Sequence, residues 1–227
     1  MPPFTEHLPP ETCAWIETVI QELEEADIEV RFVDGEHADC GGSKVGGYFD
    51  ADQGEFVVAT GGDAALWLSV FLHEYCHFRQ SQRKTQAWEA KLRGECCPQQ
   101  AFDAWLAGVV EMTPGQLRDA VGLVVAMERE CEGIALHLLS GTSEIRLDRW
   151  WYVKAANVYL GWYGVVMKTR RWYDRSPYSS PEPLRLMPGD RLLTVEEAMN
   201  PCPEFEAAIR ATCYLTPPPP GAGDPPA

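Results

Sequence analysis

The sequence predicts a mainly helical α+β fold, in which a small mixed or antiparallel sheet near the N-terminus packs on a helix carrying His73-Glu74-Tyr75-Cys76-His77. Three observations lead there. Apolar residues recur at helical spacing through most of the chain. Period-two alternation and turn signals gather between residues 28 and 60. The hydrophobic content of 45%, with 11% aromatic residues over 227 positions, is enough to bury a full core, so one domain over 1–215 is the default reading.

Pro9-Pro10-Glu11-Thr12 opens a helix over about 11–25, with Trp15, Ile16, Val19, Ile20 and Leu23 on its apolar face. Ile28 to Val33 alternates as a strand does and stops at Asp34-Gly35. Gly41-Gly42 to Gly46-Gly47 reads as an irregular, glycine-rich loop. Tyr48-Phe49-Asp50 and Glu55 to Thr60 flank Ala51-Asp52-Gln53-Gly54 as a hairpin, and either arm is a candidate edge strand for an extended peptide. From Ala64 the chain runs through Leu72 into the first histidine without Gly or Pro and stays helical to Gln80. The string over 85–93 predicts a short exposed helix, and Gln99 to Val110 another. Thr113-Pro114 starts a long helix reaching about Ser140. Thr142-Ser143-Glu144 caps an aromatic helix to about Arg170, followed by an irregular crossing over 172–188 and two short helices over 192–215. The proline-rich segment 216–227 predicts a disordered tail.

Composition narrows the function. Nineteen basic against 34 acidic residues give a net charge of -15, which opposes nucleic-acid binding; the one basic run, Lys168 to Arg171, reads as a solvated helix end. Without a basic, apolar leader or an 18-residue apolar run, the sequence predicts a soluble, cytoplasmic protein with no membrane partner. Eight cysteines with no C-x-x-C pair predict reduced thiols, with Cys76 and Cys131 as small buried apolar residues.

The chemistry concentrates in two places. His73 and His77, four apart on a helix, share a face and can hold one metal ion through their imidazoles, while Glu74 supplies a carboxylate able to take a proton from an attacking water. The structural alternative is a pair of core histidines bonded to polar neighbours. On the long helix, Glu128 and Glu132 fall in the apolar stripe with Val124, Cys131 and Ala135, whereas Glu130 and His137 turn to water. Two carboxylates on an apolar face need a cation or hydrogen-bond donors. Glu128 is assigned as the anionic ligand of one Zn²⁺ and Glu132 as acceptor from a ligating histidine, although spacing alone permits the reverse.

The pattern HEYCH followed 51 residues later by Glu128-x-x-x-Glu132 resembles zincin metallopeptidases of the gluzincin type. Glu128 to Leu139 is similar to a stretch of the IrrE/ImmA-like peptidases. HEYCH-x-x-Gln with Tyr152-Val-Lys-Ala-Ala-Asn-Val-Tyr159 resembles a group of uncharacterised phage-encoded metallopeptidases, over residues 55–175 in all. The resemblance implies a zincin-like domain, one Zn²⁺ on His73, His77 and Glu128, Glu74 as general base, Glu132 in support and a peptide or protein substrate. Tyr159 or Asn157 is then the candidate donor to the developing oxyanion, with Tyr159 preferred. A zinc-stabilised interaction protein without catalysis is the alternative.

Overall fold

The computed structural model describes residues 8–41, 43–92 and 97–214; the proposed tail at 216–227 lies outside them. Its elements run α1 (Pro10–Glu25), β1 (Glu29–Val33), β2 (Ala38–Cys40), β3 (Ser43–Val45), β4 (Gly47–Asp50), β5 (Glu55–Ala59), α2 (Ala64–Arg83), α3 (Gln86–Leu92), α4 (Pro98–Leu106), α5 (Pro114–Gly141), α6 (Arg149–Thr169), α7 (Pro181–Leu186), α8 (Val195–Met199) and α9 (Pro203–Cys213). The protein is mainly helical with a small mixed sheet. No helix among the described residues is long and apolar enough to cross a membrane. The chain divides into two compact units, Met1–Lys84 with Cys131–Arg149 and Thr85–Glu130 with Trp150–Ala227, so α5 contributes residues to both.

In the first unit the sheet order is β1-β5-β4, with β1 and β5 parallel and β4 and β5 antiparallel. The β4–β5 turn is closed by Asp50, whose Oδ1 accepts from the amides of Asp52 and Gln53 at 2.9 and 3.0 Å, and by Gly54 at φ +67°. The strand β5 is central, not an edge. Phe56, Val57, Val58 and Ala59 are all buried, and such a continuous apolar run suits a strand covered on both faces. Of the two hairpin arms, β4 is the outer strand in the sheet order of the described residues. Gly41 to Gly47 is also more regular than its glycines suggest, because β2 and β3 pair antiparallel across Gly41 at φ +59°, in the left-handed region a tight turn uses.

The helix α2 is capped by Asp63, whose Oδ1 accepts from the Ala65 amide at 2.8 Å, and ends on Lys84 in a left-handed conformation. Phe71 anchors it, with its ring edge-on to Trp15 of α1 at 5.5 Å and to Phe56 of β5 at 5.3 Å and stacked on Phe32 of β1 at 6.1 Å. At Gly47 of β4 the helix comes so close that an added Cβ would meet Val70 Cγ1 and the Val57 carbonyl oxygen at 2.7 Å each. The segment 142–148 is not helical, contrary to the sequence expectation. Thr142 Oγ1 accepts from the Glu144 amide at 3.1 Å, the Glu144 carbonyl accepts from buried Thr12 of α1, and Arg146 pairs with Glu11 at 2.7 Å, so local turn bonds and tertiary ties displace the helix start to Arg149.

The second unit is built on α6, whose aromatic density is core packing. Trp162, Val165 and Val166 are fully buried with Phe102 of α4, Val121 and Val125 of α5 and Phe205 of α9. Asn157 is fully buried on the same helix. Its Nδ2 donates to the carbonyls of Pro188 and Arg191, both at 2.9 Å, and its Oδ1 accepts from the Leu193 amide at 2.7 Å, which ties the 188–193 segment to α6. The 172–188 crossing is irregular only in part, since a short 3-10 turn and α7 form within it.

Two stability predictions follow from these contacts. Gly47→Val is expected to lower the unfolding free energy by about 1–3 kcal/mol through overpacking, read as a lower denaturant midpoint; wild-type stability would remove the close helix–strand approach as a constraint. Asn157→Leu leaves one amide and two carbonyls unpaired and is expected to cost about 3 kcal/mol, with amide exchange at Leu193 rising before the global transition. Unchanged exchange at Leu193 would contradict the clamp.

Candidate metal centre

Helix geometry brings His73 and His77 together on one face of α2, because residues four apart stand one above the other. Their rings are perpendicular with centroids 4.6 Å apart, and the two Nε2 atoms face each other at 3.1 Å. A tetrahedral zinc with nitrogen ligands at about 2.0–2.1 Å separates two such nitrogens by about 3.3 Å. The pair therefore already has the spacing of two ligands of one ion.

The outer nitrogens decide which atoms are available. His73 Nδ1 lies 3.0 Å from Glu132 Oε1, and a carboxylate only accepts, so the proton of a neutral His73 sits on Nδ1. His77 Nδ1 lies 2.8 Å from Gln80 Oε1, an amide oxygen that can accept its proton. The two Nε2 atoms face each other at a separation that a shared proton or a metal cation between them accounts for.

Glu132 is 3% exposed, and its second oxygen, Oε2, is buried without a hydrogen-bond partner among the described residues. A half-satisfied buried carboxylate is costly, and it is offset when the imidazole it supports carries positive charge from a bound cation. Cys131, fully buried one position earlier, offers a further sulfur. His73, His77 and Cys131 have ligand atoms all within 4.8 Å of one another and form a group that could hold a metal ion. The Cys131 Sγ donates to the His73 carbonyl at 3.2 Å and lies 3.7 Å from His73 Nδ1. The facing Nε2 atoms, the oxygen at each outer nitrogen and the half-satisfied Glu132 carboxylate fit a metal cation at the Nε2 atoms.

The remaining motif residues divide by role. Glu74 is buried next to His73. Tyr75, on another face of α2, bonds Glu22 and Arg79, and burial ahead of the Glu22 bond pushes its phenol up to about 12. It braces α2 against α1. His73, Glu74, His77 and Glu132 belong to the first unit, whereas Glu128 and Tyr159 belong to the second. Glu128 is buried, as its wheel position predicts. Tyr159 bonds the Tyr163 hydroxyl at 3.0 Å, and its phenol is held well above the ordinary range by burial first and by the Glu128 charge next. Asn157, the other candidate oxyanion donor, has its amide committed to the 188–193 segment. Glu130 does not simply face water, since it is half-buried and accepts from the Thr85 hydroxyl; His137 is exposed.

Two participants carry no role in the sequence reading. Gln80 appears there only as a helix end and as the last letter of HEYCH-x-x-Gln, although a Gln three residues after His77 is at contact spacing on a helix. Cys131 was read as an apolar filler, and its bond to a backbone carbonyl has no sequence signature. No family model matches the chain, and neither does any curated protein or solved structure.

Proposed function

We propose that the chain is a zinc-dependent metallopeptidase that hydrolyses peptide bonds, with one Zn²⁺ on the Nε2 atoms of His73 and His77. The observation that carries the reading is the pair of facing Nε2 nitrogens at 3.1 Å, with an oxygen at each outer nitrogen and Glu74 buried between the two histidines in sequence. Glu128 enters as the anionic third ligand on the strength of the sequence pattern alone. When bound, Zn²⁺ supplies a Lewis acid that acidifies water and polarises a carbonyl.

The residues of the chain do the rest. Glu74 accepts the proton of the attacking water and returns it to the amine nitrogen as the C–N bond breaks. Glu132 and Gln80 hold the imidazoles in the tautomer that leaves Nε2 free. Tyr159, kept protonated by burial and by Glu128, is the candidate donor to the oxyanion. The outer strand β4, packed beside α2, offers backbone groups to an extended peptide.

A second reading takes the Cys131 sulfur as a metal ligand with the two histidines, as in a closed structural site of an interaction protein. Glu74→Gln separates the two. In the enzyme it is expected to retain stoichiometric zinc while peptide cleavage, read as new termini by mass spectrometry on a denatured protein mixture, falls by about 10²–10⁴-fold. Equal cleavage by wild type and variant would sink the enzymatic reading. The two acids of α5 are ranked by zinc competition: Glu132→Gln is expected to weaken binding by about 10–100-fold, and Glu128→Gln by more. The opposite order would exchange their roles.

A further inference from the structure

Within the metal-binding reading of His73 and His77, on which this inference rests, we propose that Gln80 is the positioning residue that makes His77 a metal ligand. It does so by accepting the Nδ1 proton and so keeping the lone pair on Nε2. Free imidazole is mobile between two tautomers, and only one leaves Nε2 able to bind a cation. His73 has a carboxylate, Glu132, to set that choice, whereas His77 has the neutral amide oxygen of Gln80 at 2.8 Å.

The placement suits that task. Gln80 is fully buried, three residues after His77 on the same face of α2, so helix geometry sets the contact. Turning its NH₂ toward Nδ1 would move the His77 proton to Nε2, where it would donate to His73 Nε2 and close both nitrogens to a cation. Both centre nitrogens are thus prepared before any ion arrives, one by an anion and one by a dipole.

The test begins on the metal-free full chain with the ¹⁵N shifts of the His77 ring. The expected result is an Nδ1–H tautomer with unprotonated Nε2; an Nε2–H tautomer in the wild type overturns the proposal without any variant. Gln80→Leu is expected to lose the tautomer preference and to weaken Zn²⁺ binding by about 10–100-fold in chelator competition. Gln80→Glu restores an acceptor and is expected to recover the tautomer, which a purely space-filling role for Gln80 would not require. An unchanged tautomer in Gln80→Leu, or no recovery in Gln80→Glu, refutes the assignment. If the wild type takes up no stoichiometric zinc, the metallopeptidase reading fails by itself, while the ring shifts still decide what Gln80 does.

Discussion

Two imidazole nitrogens facing each other at 3.1 Å are the constraint on which the first unit turns. An i, i+4 pair on a helix has its backbone positions fixed one turn apart, and α2 is held by its Asp63 cap, by Phe71 among three elements and by the close pass over Gly47. The choice left to the fold is where the imidazole protons go. Glu132 and Gln80 draw both to the outer side, which sharpens the conflict between the inner lone pairs rather than relieving it. A helix selected for packing alone would gain by letting one histidine donate to the other. Opposing that donation costs stability, which a bound cation would restore.

What could be read from the residues follows the same physics. Long periodic segments such as α2 and α5 are legible because burial imposes a face, and that face correctly turned Glu128 and Glu132 inward before any contact was known. The central position of β5 was legible in principle, since an unbroken Phe-Val-Val-Ala run has no solvent face, but pairing partners are set by the non-local return of β1. The short β2–β3 ladder was not, because glycine density signals equally a loose loop and a two-strand turn. The false helix start at Thr142 failed for a tertiary reason: Thr12 and Glu11 of α1 claim the segment that a local capping pattern would have used.

In the candidate site, the histidine pair was legible and its hydrogen-bond partners were not. HExxH spacing is a local rule of the helix, so His73, Glu74 and His77 stand out in one dimension. The partner of His73 lies 59 positions away in sequence, and only the inward-facing stripe of α5 hinted at it. Asn157 shows the reverse error. A polar residue among aromatics invites a catalytic role, yet its three bonds to the 188–193 segment account for it completely as a clamp.

The unequal supports of the two histidines have an electrostatic reason. Glu74 and Glu132 already bury two carboxylates in the first unit, and each buried anion is expensive while no cation is bound. A second carboxylate in place of Gln80 would orient His77 equally well but would add a third anion to a metal-free protein that must fold first. An amide supplies the same acceptor with no net charge, so it sets the tautomer at a smaller desolvation cost. Against the ion the balance differs: the carboxylate makes His73 the stronger donor, and the amide leaves His77 the weaker one. The centre is then asymmetric by construction, with the anionic support on the histidine adjoining Glu74.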